Sequence, residues 1–73
     1  MRMYAVFTNE DALKFVVVGF YYESDLHIPP DSDYYKRLGT LSGYLDTMSF
    51  VNTQASMNGW RTYTVEFVNV HRG

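Results

Sequence analysis

The sequence predicts a small single-domain α+β fold over residues 1–73, ordered β-β-α-β, with a mixed three-stranded sheet and one helix packed on one face. Three observations lead to it. Residues 13–22, Leu-Lys-Phe-Val-Val-Val-Gly-Phe-Tyr-Tyr, are apolar on both alternating faces, as in a strand covered on two sides. The polar run Asn9-Glu10-Asp11-Ala12 separates them from an earlier apolar-rich run, the spacing of an antiparallel hairpin. Farther on, Tyr34, Leu38, Leu41, Leu45 and Met48 recur at four, three, four and three residues, the apolar stripe of an amphipathic helix.

In chain order, residues 1–8 form the first strand, with Met3, Ala5 and Phe7 on one face and Tyr4 and Val6 on the other. Residues 13–22 form the second. A loop over 23–30 closes on Pro29-Pro30, which favours extended backbone before it. Asp31-Ser32-Asp33 then supplies a helix N-cap, with negative charge where the helix dipole favours it. The predicted helix covers about residues 32–49. Gly39 and Gly43 weaken it by roughly 1 kcal/mol each relative to Ala, so it either bends or divides in two. Residues 52–59 read as a polar connector ending in the turn signal Asn58-Gly59. Residues 60–70 form the third strand. A helix between two strands predicts a right-handed crossover that leaves the second and third strands parallel. The third strand lies beside either the first or the second.

Matching apolar sides places Val16, Val18 and Phe20 with Tyr63, Val65, Phe67 and the helix stripe. The opposite sheet face then carries Phe15, Val17 and Tyr21, with Thr62, Thr64 and Glu66. One helix covers one face, and a chain this short buries only about 60% of the surface its unfolded form exposes. The second face is therefore expected to be covered by another molecule. At about 25 cal/mol per Å², covering roughly a few hundred Å² there is worth several kcal/mol, comparable with the stability of a small domain.

The loop between the second strand and the helix is a second candidate surface. Glu23, Asp25, Asp31 and Asp33 are four of the chain's eight acidic residues, and no Lys or Arg lies among them. Two prolines stiffen this loop and reduce the entropy lost on docking.

Other chemistries find little support. There are no cysteines, which excludes disulfides and thiolate metal sites. His27 and His71 are the only histidines, so no metal or cofactor is expected. No Gly-rich phosphate loop or nucleophile-elbow serine is present, and no enzyme activity is expected. The formal net charge is −2 and the six basic residues form no run, which argues against nucleic acid as the partner. Phe15, Tyr21 and Trp60 as a stacking platform make single-stranded nucleic acid the alternative. The longest uncharged apolar run, residues 15–22, is too short to cross a membrane, and no signal-like segment precedes it. A cytoplasmic protein without a membrane partner is expected.

These readings converge on a non-enzymatic interaction module. Its expected role is to bind, and inhibit or modulate, a larger protein through Phe15, Val17, Tyr21, Thr62 and Thr64 on the sheet and through the acidic loop. A homodimer is the alternative use of the same face. Accessory proteins of phages and mobile elements offer an analogy of size and class alone.

Overall fold

Residues 2–26 and 32–69 are described by a computed structural model. Strands β1 (Met3–Asn9) and β2 (Lys14–Phe20) form the expected antiparallel hairpin, in register from Met3↔Phe20 to Asn9↔Lys14. Its turn is fixed locally. Asn9 Oδ1 accepts a hydrogen bond from the Ala12 N–H at 3.2 Å, and Leu13 takes a positive φ of 51°. Two further strands flank the hairpin: β3 (Lys36–Leu41) runs antiparallel to β1, and β4 (Thr64–Asn69) runs parallel to β2. The sheet order is β3-β1-β2-β4, and α1 (Tyr44–Met57) joins the two edges. The class is α+β, with a mixed sheet of four strands rather than three.

The helix expected over residues 32–49 is a correction, and its cause is a β-bulge. The β1–β3 register runs Tyr4↔Leu41, Ala5↔Thr40 and Val6↔Gly39, then slips to Phe7↔Arg37, leaving Leu38 as the extra residue. Side chains three residues apart normally point to opposite faces of a strand. The inserted residue returns Leu38 and Leu41 to one face, where both pack against the core beneath α1. A bulged strand thus imitates helical spacing. Tyr34 is exposed in a 3₁₀ turn (Ser32–Tyr34), and Leu45 is 80% exposed on α1. The residues that α1 buries are Thr47, Val51 and Ala55. Their small size and mixed polarity give the true helix a weak apolar signature.

Residues 52–57, expected as connector, are the last turns of α1. Asn58-Gly59 does reverse the chain, as a helix C-terminus. The Trp60 N–H donates to Ala55 O at 2.9 Å and the Gly59 N–H to Ser56 O at 3.1 Å, with Gly59 at φ 74°. This is the Schellman arrangement, in which glycine takes the left-handed position without a Cβ penalty. It also delivers Trp60 to the core at the start of the run into β4.

The two faces of β2 are both dry, and the assignment of faces is a second correction. Parallel pairing sets Phe15 beside Val65 and Val17 beside Phe67, so the odd-numbered positions of both strands share a face. That face lies under α1: Val6, Phe15, Val17, Val51 and Ala55 are buried together, with Trp60, Tyr63 and Val65 packed against them. Phe15 is fully enclosed, 5.3 Å from the Trp60 ring and 5.6 Å from the Tyr63 ring between centroids. Val16, Val18 and Phe20 point the other way, into a second cluster with Ala5 and Phe7. Met3 of β1 packs against it together with Leu26 and Tyr35, which come from the described stretches between β2 and β3.

Truncating a buried phenylalanine costs about 3–5 kcal/mol, a large share of a small domain's stability. Phe15→Ala is therefore expected to lower the urea midpoint steeply or leave the chain unfolded. A midpoint within error of the parent would contradict its place beneath α1.

Candidate functional site

With both faces of β2 covered, a group of exposed apolar side chains remains where β1 begins and β2 and β4 end, while Leu13, Tyr34 and Met57 are exposed elsewhere. The register aligns Tyr4 with Leu41 and Gly19, and Gly19 with Asn69, so these residues form one row across the sheet. The helix starts at Tyr44, separated from β3 by only Ser42 and Gly43, and its first side chains stand over this end. Tyr4 meets Tyr44 edge-on at 6.4 Å between ring centroids, and Tyr44 stacks on Phe67 at 5.8 Å and 24°. Offset aromatic contacts of this kind add about 0.5–1.5 kcal/mol beyond area burial, which holds the rings in place. Tyr44 is nevertheless 52% exposed and Phe67 45% exposed, and Leu45 beside them is nearly bare.

Arg2 completes this end. A Cβ at Gly19 would lie 2.9 Å from Arg2 Nε and 2.9 Å from Asn69 Oδ1, so glycine is what lets the arginine lie on the sheet. From there its guanidinium carbon reaches 5.5 Å from the centre of the Tyr21 ring, a cation–π distance. Arg2 Nε is buried and has no hydrogen-bond partner among the described residues. The other ion pairs lie elsewhere: Lys14 bonds Glu66 at 3.0 Å, and Arg37 donates to both Glu23 carboxylate oxygens and to Thr40 Oγ1. The result is a ledge of exposed aromatic rings with a cation set into it.

The residues expected to bind a partner are scattered by this fold. Phe15 and Val17 are buried beneath α1 and offer no accessible surface, which corrects the expected open face. A buried Phe15 also offers no ring to a nucleic-acid base, and Trp60 packs against it. Tyr21 is 52% exposed and belongs to the ledge through Arg2. Thr62 and Thr64 are exposed at the opposite end, where Thr64 pairs with Lys14. Five residues of strand, about 17 Å, separate that position from Gly19. The acidic loop is divided as well. Glu23 and Asp25 sit in a 3₁₀ turn (Glu23–Asp25), with Glu23 held by Arg37. Asp33 is exposed and lines a cleft of about 380 Å³ with Glu10, Asp11 and Lys36. Asp31 and His27 lie outside the described residues.

Tyr4, Tyr44, Leu45 and Arg2 were not among the expected binding residues. The signal for them was the pairing of Tyr4 with Gly19, which leaves room for Arg2, two residues before Tyr4, and which requires the register to be known. Among the described residues no three His, Cys, Asp or Glu side chains gather as metal ligands, and no helix is long and apolar enough to cross a membrane. Comparison with protein-family models, curated proteins and solved structures finds no match to the chain.

The Arg37 guanidinium holds the Glu23 carboxyl below the usual glutamate range, through its hydrogen bonds first and its charge second. A depressed native pKa contributes stability that is present above the unfolded value and lost as pH falls through the native one. Arg37→Met is expected to raise the Glu23 titration midpoint toward the ordinary range, followed by carboxyl NMR shifts. An unmoved midpoint would show that the pair does not persist in solution.

Proposed function

We propose that the protein is a non-enzymatic module that binds a larger protein and inhibits or modulates it, using the aromatic ledge as its anchor. The observation that carries this reading is the pair of exposed features at one end of the sheet, Tyr21 against Arg2 and the Tyr44–Phe67 stack, with Leu45 exposed next to Tyr44 on α1. Tyr and Arg are enriched among the residues that dominate binding energy at protein interfaces. Rings already stacked on one another lose little freedom on docking, so more of their burial appears as affinity. Glu23 and Asp25 lie close in sequence to Tyr21 and supply a polar, acidic flank of the sort found at interface rims. Arg2 adds a cation without an ion-pair partner among the described residues, suited to a carboxylate or a carbonyl-rich surface.

The test is capture from the native host followed by affinity measurement with the recovered partner. Tyr44→Ala combined with Leu45→Glu is expected to weaken the complex by about 30-fold or more, the loss typical of central interface residues. Ser56→Ala, exposed about 18 Å farther along α1, is expected to leave it unchanged. Circular dichroism of each variant separates loss of binding from loss of fold. Equal affinity for the double variant and the parent would remove the ledge from the interface.

A further inference from the structure

The two edges of this sheet are built differently. The outer edge of β3 carries Lys36 and Arg37 and is interrupted by the bulge at Leu38, and both charge and bulges block strand addition. β4, reading Thr-Val-Glu-Phe-Val-Asn, has no Lys, Arg, Pro or Gly and no bulge against β2. Its single charge, Glu66, is already neutralised by Lys14 of β2 at 3.0 Å. Among the described residues nothing pairs with the outer side of β4.

The direction of its backbone groups can be read off one bond. The Thr64 N–H donates inward to Leu13 O at 3.0 Å. Strand alternation then turns the peptide groups of Glu66 and Val68 inward too, and those of Val65, Phe67 and Asn69 outward. We infer that this outward row is the pairing edge for a second copy of the chain, joined antiparallel to the first through β4 about a two-fold axis. Such an axis stands perpendicular to the sheet, keeps the faces aligned, and so pairs only residues of equal parity.

Two central registers keep the pairing within β4. Centring on Glu66 would set two carboxylates directly opposite one another, which is destabilising. Centring on Phe67 sets Phe67 against Phe67 of the second copy, and Val65 against its Asn69. Every outward residue then faces an outward residue, and each such pair exchanges two N–H···O bonds. Glu66 falls opposite Val68 of the second copy, away from any like charge. On the helix face the two Tyr44–Phe67 stacks meet end to end, burying rings that are half-exposed in the single chain.

The contact is modest in size. A strand about 20 Å long with side chains on both faces covers roughly 400 Å² per copy, about 800 Å² in total, the size of a weak, transient interface rather than a stable one. Dimerisation is accordingly expected near 100 µM rather than at nanomolar concentration, as an order of magnitude. This inference concerns the purified chain alone and does not require a larger partner to bind the ledge.

The test is sedimentation equilibrium of the purified full chain from about 10 to 500 µM, with amide hydrogen exchange at both extremes. The expected result is a concentration-dependent dimer in which the Val65, Phe67 and Asn69 amides become protected while exposed loop amides do not change. Phe67→Pro removes an outward N–H, a change an edge strand tolerates, together with the ring that stacks on Tyr44, and is expected to shift the association at least tenfold toward monomer. Should that variant unfold, Val68→Glu and Val68→Lys decide the matter. The first brings a carboxylate to Glu66 of the second copy and should weaken the dimer, whereas the second should preserve it. A parent that stays monomeric at 500 µM, a dimer without protection at those amides, or Val68 variants with equal association would each overturn the inference.

Discussion

The rest of this molecule depends on β2 being covered on both sides by its own chain. Phe15 and Val17 go under α1, and Val16, Val18 and Phe20 pack with Met3, Leu26 and Tyr35 on the other face. A central strand apolar on both faces is a liability in a short protein, because an open face would favour aggregation. Here two unlike coverings solve the problem. One is a helix whose small buried residues, Val51 and Ala55, let it sit close to the sheet. The other comes from Leu26 and Tyr35, which follow the two short 3₁₀ turns between β2 and β3, with the Glu23–Arg37 pair beside them.

Closing the faces moves the protein's reactive surface to its periphery. Only the first turn of α1 reaches the row of Tyr4, Gly19 and Asn69, through Tyr44 against Tyr4, and the Tyr44 and Phe67 rings at that end stay half-open. The edges then divide the remaining roles. β3 is charged and bulged, whereas β4 is nearly neutral and regular. The features that resist association and those that invite it therefore sit on opposite sides of one small sheet. Gly19 links the two levels: its missing side chain lets Arg2 cross the sheet and reach Tyr21.

Much of the fold was legible in the sequence, and the failures have physical causes. The hairpin was readable because three polar residues and an alanine between two apolar runs leave few alternatives. That the final strand runs parallel to β2 followed from the intervening helix, whereas its place beside β2 rather than β1 was left open by the sequence. The helix itself was misplaced because Leu38 and Leu41 share a face through a bulge, which no periodicity argument distinguishes from helical spacing. Polar residues 52–57 concealed the last turns of α1, whose stability comes from Val51 and Ala55 and from the Gly59 terminus rather than from a broad apolar stripe. The shortage of covering material was overestimated because irregular chain, which carries no periodic signal, was given no part in the core. Tyr21 was legible as a surface residue; the ledge around it was not, since it is assembled from four separate elements.

The most direct test of this account is a nuclear Overhauser measurement on chain labelled at valine methyls and phenylalanine rings. The account predicts cross-peaks from the Phe15 ring to the Val51 methyls, and protection of that ring from a soluble paramagnetic probe that broadens Tyr44 and Phe67. A Phe15 ring without contact to Val51 and broadened as strongly as Tyr44 would contradict it, and would return the open sheet face as the place where a partner binds.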